Sequence, residues 1–302
     1  MMNIMQHVSP GSDRRTAPVD THPCVASGQT RPPRSPAHEQ DRLRTHYGPW
    51  AVVTGASDGI GRAFAECLAG AGVNLVLAAR RQEVLESLCA ELTKTHGIEA
   101  RTVPVDLGRP EGIETLLGET RPLDVGLLVA AAGFGTSGPF VEADLRSELE
   151  MIDLNCWAVA ALSHAFGRRF VERGRGGLVL MSSLVAFQGV PRAANYAATK
   201  AYVQSLAEGL QRELSSRGVD VLASAPGPVN SGFAARASMT MGLAQTPAEV
   251  AVATLAALGR RGTVRPGFLA KLLELSLTFL PRWGRVRMMG VVMGGMTKRH
   301  AA

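Results

Sequence analysis

Tyr196 and Lys200 stand four positions apart in the run Tyr196-Ala197-Ala198-Thr199-Lys200, a spacing that puts both side chains on one face of a helix. A free tyrosine loses its proton near pH about 10, and a neighbouring ammonium favours the phenolate, so the pair can exchange a proton closer to neutral pH. Ser183 lies upstream, where a short apolar run ends. A hydroxyl fixed beside the phenol can hold a carbonyl oxygen and stabilise the charge that builds on it. Asn155, in the middle of a long helical stretch, has a side chain able to hold a water that links such a pair to solvent. Each of these residues alone is more often structural than chemical. Together they describe proton transfer to or from the oxygen of a carbonyl or alcohol.

A second constellation precedes them. The first apolar run is followed at once by Thr54-Gly55-Ala56-Ser57-Asp58-Gly59-Ile60-Gly61 and then a helical pattern. Glycines let a backbone turn tightly and approach a pyrophosphate, whose charge is favoured by the outward-pointing amides of a helix N-terminus. The spacing is Gly-xxx-Gly-x-Gly, and such a loop by itself is also an ordinary strand-to-helix turn. After the second apolar run the sequence reads Ala78-Ala79-Arg80-Arg81. An acidic residue there would hold a ribose 2′-hydroxyl and repel a 2′-phosphate, whereas Arg80 can pair with that phosphate, so NADP(H) is expected over NAD(H). Asp106, after the third run, is placed to face an adenine edge.

The elements that must carry these residues are legible from Trp50 onward. Unalternated apolar runs at Trp50 to Thr54, Asn74 to Ala79, Ala100 to Val105, Gly126 to Ala131, Leu178 to Ser182 and Val219 to Ala223 suit strands buried on both faces. Their alternation with segments of helical period predicts right-handed βαβ units and a doubly wound parallel sheet, an α/β Rossmann-like domain. Long helices are expected at about Asp144 to Glu172 and Ala194 to Arg217.

With these motifs in this order, the sequence closely resembles the short-chain dehydrogenase/reductase family from about Trp50 to Ser231. The resemblance runs through TGxxxGIG (Gly55, Gly59, Gly61), Asp106, Asn155, Ser183, Tyr196, Lys200 and Pro226-Gly227-Pro228-Val229. It implies a catalytic tetrad of Asn155, Ser183, Tyr196 and Lys200. It also implies that Lys200 contacts the nicotinamide ribose, that Gly133, Pro226, Gly227 and Val229 lie along the cofactor with Ser57, Asp58 and Ile60 of the glycine loop, and that the two long helices build a homodimer or homotetramer. Two positions depart from the pattern. The Asn-Asn-Ala-Gly usual after the fourth strand reads Ala130-Ala131-Ala132-Gly133, which removes side-chain bonds that anchor the strand, and Ser231 replaces a common threonine. The glycine loop and Arg62 to Glu66 further resemble the members that reduce 3-oxoacyl thioesters and steroid ketones.

Outside the domain the composition changes. Residues 1–46 are rich in Pro, Ser, Thr, His and Arg and include Arg31-Pro32-Pro33-Arg34-Ser35-Pro36, as expected of a disordered extension, with residues 47–265 as the catalytic domain. The net charge of +6 is concentrated after residue 260, where Glu274 is the sole acidic residue. Residues 266–302 read as a basic helical hairpin: Leu269, Leu272, Leu273, Leu277 and Leu280 make a wide apolar arc, and Arg282 to Met289 is basic and Met-rich. Packing on the domain or a second subunit and peripheral contact with an anionic membrane both fit that pattern. The region Asn230 to Gln245, with Phe233, Met239 and Met241, suits a hydrophobic carbonyl substrate or simple packing. Four scattered cysteines, no metal-ligand spacing, and no signal or spanning segment point to a cytoplasmic protein without a metal. Basic residues set among apolar ones, with no aromatic platform, argue against nucleic acid. The reading from a different class is a non-catalytic nucleotide-sensing or membrane-associated scaffold that keeps the fold.

Overall fold

The computed structural model describes residues 36–233, 237, 244–267 and 280–297. Seven parallel strands follow the order β3-β2-β1-β4-β5-β6-β7: β1 (Trp50–Thr54), β2 (Asn74–Ala79), β3 (Ala100–Pro104), β4 (Val125–Ala130), β5 (Gly176–Met181), β6 (Val219–Ser224) and β7 (Thr263–Val264). The first six lie where the apolar runs put them, within about two residues. The two-residue β7 offers no such run, and it extends the sheet by pairing Ala223 with Thr263 and Ser224 with Val264.

Both faces of the sheet are covered, which is why its strands are apolar throughout. Val53, Leu75, Leu77, Leu127 and Val129 point to one side, against α2 (Gly59–Gly70), α3 (Gln82–His96) and α8 (Pro247–Ala257). Val52, Val76, Leu128, Leu178 and Leu180 point to the other, against α4 (Pro110–Thr120), α6 (Ala158–Arg173) and α7 (Ala194–Leu214). Strand order reverses between β1 and β4, which opens a crevice at their C-terminal ends where ligands of such sheets bind.

The helix expected over Asp144 to Glu172 is α5 (Leu145–Ile152) continuing through a π-helical turn (Asp153–Trp157) into α6. Asn155 sits in that turn, an irregularity often found at functional sites.

The boundary expected at residue 47 falls inside a folded segment. Helix α1 (Pro36–Arg42) and a π-helical turn (Leu43–Tyr47) pack on the domain, burying Leu43 and Tyr47. Arg42 donates to the carbonyls of Leu255 and Leu258, and the Tyr47 hydroxyl donates to Asp220 at 2.8 Å. The polar composition of this stretch hides its role, because it is anchored by two buried side chains, Leu43 and Tyr47, and otherwise by hydrogen bonds to the end of α8 and to β6. The rest of the expected extension, residues 1–35, lies outside the described residues, as do residues 268–279, most of the first arm of the expected hairpin. The second arm is helix α9 (Arg282–Thr297), and its Met293 is buried against Val190, Ala193 and Ala197. Met289 and Met293 thus pack on the domain, while Trp283 and Val291 stay exposed. Among the described residues no helix is long and apolar enough to cross a membrane.

Candidate functional site

A single cavity of about 570 Å³ joins the expected residues, from Arg80 and Arg81 at one end, past the glycine loop, to Ser183, Tyr196 and Lys200 and on to α9. Gly55, Ser57, Asp58, Gly59, Ile60, Gly61, Asp106, Gly133, Pro226, Gly227 and Val229 all line it. Asn155 is buried behind it.

The glycines of the loop are required by contact and by backbone conformation. Gly55 and Gly59 have φ of 68° and 53°, in the left-handed region that disfavours a side chain. A Cβ on Gly61 would lie 2.2 Å from the Gly55 carbonyl oxygen, so this glycine sets the close packing of α2 on β1. Asp58 caps α2 by accepting from the Gly59 amide at 2.7 Å. The segment after β6 closes from the other side: the positions a Cβ would take on Gly59 and Gly232 are within 2.9 Å of Ser231 and 2.3 Å of the Asp58 carboxylate. What remains is a narrow channel walled by backbone and by Ala131 and Ala132, a fit for a flat, phosphate-linked dinucleotide.

At the end of β2, Arg80 is exposed and has no partner among the described residues. Arg81, the next residue, turns back over the loop. Its guanidinium donates to the Ser57 carbonyl at 2.9 Å and to the Ser57 hydroxyl at 3.1 and 3.3 Å. Both arginines line the cavity, so the cationic end is a pair. Asp106 uses one carboxylate oxygen to accept from the Gly108 amide at 3.1 Å, which fixes the turn after β3.

The alanines that replace the family's asparagines leave no loose strand. Thr54, at the end of β1, donates to the Val129 carbonyl at 3.4 Å and accepts from the Ala132 amide at 3.0 Å. One buried hydroxyl therefore bridges the two strands that flank the crevice.

Tyr196 and Lys200 share the cavity-facing side of α7, and the Lys200 ammonium lies 5.8 Å from the centre of the Tyr196 ring and donates to the Met181 carbonyl at 2.8 Å. Ser183 follows β5, its hydroxyl accepts from the Val185 amide at 3.4 Å, and it lies close enough to the phenol to oppose the rise of its pKa. The expectation that Lys200 would draw the phenol towards neutral pH is not met. Burial pushes Tyr196 up to about 12 against the smaller opposing effect of Ser183, and it pushes Lys200 down to about 8. Both charged forms are desolvated in the same cleft, and at this separation desolvation outweighs their attraction. The phenol is therefore a neutral donor at neutral pH.

Asn155 does not face the cleft. Its side chain donates to the Phe134 carbonyl at 2.8 Å and to the Thr199 hydroxyl at 3.1 Å, and accepts from the Phe134 amide at 3.1 Å. Both amide protons are thus committed to tying the loop after β4 to α7, one residue from Lys200. Asn155→Ala would remove three buried hydrogen bonds, two to Phe134 and one to Thr199, an expected loss of about 2 to 4 kcal/mol. Urea unfolding of the two proteins measures this; a change under about 0.5 kcal/mol would mean that the loop is held by something else.

Phe233, expected to shape a hydrophobic substrate site or simply to pack, meets the phenol beside Gly135, a residue that the sequence does not single out. Phe233 stacks obliquely on Tyr196 with ring centres 5.3 Å apart. Gly135 makes room for both, since its Cβ would stand 2.6 Å from the Phe233 ring and 3.0 Å from that of Tyr196. Met239 and Met241, expected near the substrate, lie outside the described residues.

The model of the short-chain dehydrogenase family matches residues 49–242. The 7beta-hydroxysteroid dehydrogenase of Clostridium sardiniense is 34% identical over 180 residues, covering 60% of this chain and 69% of that protein. The very-long-chain 3-oxoacyl-CoA reductase of Pyrenophora tritici-repentis is 33% identical over 227 residues, 72% of this chain and 66% of that protein. A short-chain dehydrogenase from Sphingobium yanoikuyae, solved in complex with NADPH, superimposes with a TM-score of 0.70 at 30% identity, over 84% of this chain and 99% of that one. Glycine loop, crevice, Ser-Tyr-Lys cluster and these likenesses agree: the chain belongs to the short-chain dehydrogenase/reductase family, an oxidoreductase family acting on CH–OH groups, near its hydroxysteroid dehydrogenase and 3-oxoacyl-CoA reductase members.

Proposed function

We propose that this protein is an NADP(H)-dependent reductase of a hydrophobic ketone, in the chemical range from steroid ketones to 3-oxoacyl thioesters. The observation that carries the reading is the continuity of the cavity from an arginine pair, through the glycine loop, to a neutral phenol beside a serine hydroxyl. The relatives named as hydroxysteroid dehydrogenase and 3-oxoacyl-CoA reductase, and the likeness to a protein solved with NADPH, support the same substrate and cofactor classes.

A bound reduced nicotinamide supplies a hydride. Gly55, Ser57, Asp58, Gly59, Ile60 and Gly61 hold the pyrophosphate and its ribose, with Asp106 at the adenine end. Gly133, Pro226, Gly227 and Val229 line the path to the nicotinamide. Ser183 donates a hydrogen bond to the substrate oxygen and stabilises its growing negative charge. Tyr196 then delivers its proton to that oxygen. Lys200, when charged, holds the nicotinamide ribose and lowers the cost of the phenolate that Tyr196 becomes. Asn155 keeps the loop after β4 and helix α7 in register, a positioning role in place of a direct hold on water. Because the phenol is pushed up to about 12, the donor state that ketone reduction needs prevails at neutral pH. The reading is tested by following NADPH oxidation with a panel of steroid ketones, long-chain 3-oxoacyl thioesters and aryl ketones. Reduction of at least one class supports it, and NADPH binding without turnover on any would favour a nucleotide-binding scaffold.

We further infer that the protein acts as a homo-oligomer through α5 and its neighbours. Leu145, Leu149 and Ile152 follow helical spacing yet are 64, 51 and 39% exposed, and Trp157 and Tyr202 add to the uncovered apolar surface. Leu149→Glu is expected to shift the mass measured by light scattering from oligomer to monomer. An unchanged oligomer, or a monomeric parent protein, would reject this face as the interface.

A further inference from the structure

Helix α9 lies beyond the matched family region, which ends at residue 242, yet Met288, Met289, Val292 and Met293 line the cavity that holds Tyr196. Its docking places glycines against side chains of the facing segment. A Cβ on Gly290 would stand 3.3 Å from Pro191, and one on Gly189 would stand 3.6 Å from Val286. Met293 is 4% exposed and packs on Val190, Ala193 and Ala197. Ala197 directly follows Tyr196 on α7, so α9 is seated on the same turn that carries the proton donor. The side chains differ in depth. Met289 and Met293 face inward, whereas Met288 and Val292, one helical turn apart, are 38 and 41% exposed while still lining the cavity. They stand at its rim.

We propose that α9 is the specificity-determining wall of the active site and recognises the apolar body of the substrate at a distance from its carbonyl. The proposal rests on the reductase reading and names what that reading leaves open. None of the four lining side chains carries a charge or a hydrogen-bond donor, and only the weakly accepting thioethers are polar, so the part of the substrate they contact is hydrocarbon. Methionines are unbranched and repack around differing shapes, so the wall accepts bulky ketones of more than one outline. Small ketones reach Ser183 and Tyr196 without touching α9, and their reduction is independent of it.

The test is the double variant Met288→Gln/Val292→Gln, whose partly exposed positions tolerate polar side chains, with Met288→Leu as the conservative control. KM and kcat are measured for a polycyclic ketone and for a four-carbon ketone, and binding of the polycyclic ketone to the NADPH complex is measured by calorimetry. The double variant is expected to raise the KM and Kd of the polycyclic ketone about tenfold or more, with its kcat and the constants of the small ketone changed less than about threefold. Met288→Leu should behave as the parent. Equal losses on both ketones, or no change on either, would overturn the assignment. Should the parent protein bind the polycyclic ketone but turn over neither, the reductase reading fails while the binding comparison still decides the role of α9.

Discussion

Tyr196→Phe is expected to lower turnover by about 10³-fold, within the range for loss of a general acid, while the Kd for NADPH changes less than about threefold. The separation of the two effects follows from what the substitution removes. The aromatic ring remains, so its packing on Phe233 and the space kept by Gly135 persist. Lys200 keeps its hydrogen bond to Met181, and the glycine loop is untouched. Only the phenolic hydroxyl, with its proton, is lost. Stopped-flow NADPH fluorescence and steady-state turnover on one responsive ketone measure the two quantities side by side. Comparable loss of binding and turnover would assign Tyr196 a structural role, and retained turnover would give the proton to another donor. The pH profile of the parent protein adds an independent check. Lys200 is charged below about 8 and neutral above it, so the rate of ketone reduction should fall as pH rises through that value. Tyr196 stays protonated until about 12 and contributes no loss in the working range. A rate that rises between pH 7 and 9 would contradict these assignments.

The parts of this molecule that the sequence exposes are those where one residue type has few substitutes. Strands buried on both faces must be apolar throughout, so six of the seven strands announce themselves, and β7 does not because two residues carry no pattern. The glycine loop is legible because a Cβ on Gly61 would collide with the Gly55 carbonyl. Tyr196 and Lys200 are legible because their spacing has chemical use, but the protonation behaviour of the pair depends on how deeply both are buried, which spacing does not encode. Asn155 was read as a water holder and is found bound to Phe134 and Thr199; its partners are distant in sequence. Residues 36–46 read as part of the polar extension, because a segment attached largely by hydrogen bonds such as those of Arg42 has the composition of a linker. Gly135 and Arg81 were passed over for a related reason. A single glycine or a second arginine acquires meaning only when its neighbour in space is known.

Arg81 alters what the second large-effect experiment should be. If Arg80 alone met the 2′-phosphate, Arg80→Ala would account for the whole NADPH preference. The structure instead offers two guanidinium groups at the end of β2, one without a partner among the described residues and one braced on Ser57. Hydrogen bonds to a charged group contribute about 1.5 to 3 kcal/mol, and solvent screening at these exposed positions trims that figure. We therefore expect roughly tenfold weaker NADPH binding for each single alanine variant and about 30- to 100-fold for the pair. NADH lacks the 2′-phosphate, so Arg80→Ala should leave its Kd within about twofold. Arg81→Ala should weaken NADH slightly as well, because the Ser57 segment of the glycine loop loses its brace. Raising salt should narrow the gap between the two nucleotides in the parent protein and have little effect in the double variant. Isothermal titration of each variant with NADPH and NADH at low and high salt reads all of these at once. Equal weakening of both nucleotides in the double variant would remove the arginine pair from cofactor selection and leave Arg81 as a strut for the loop.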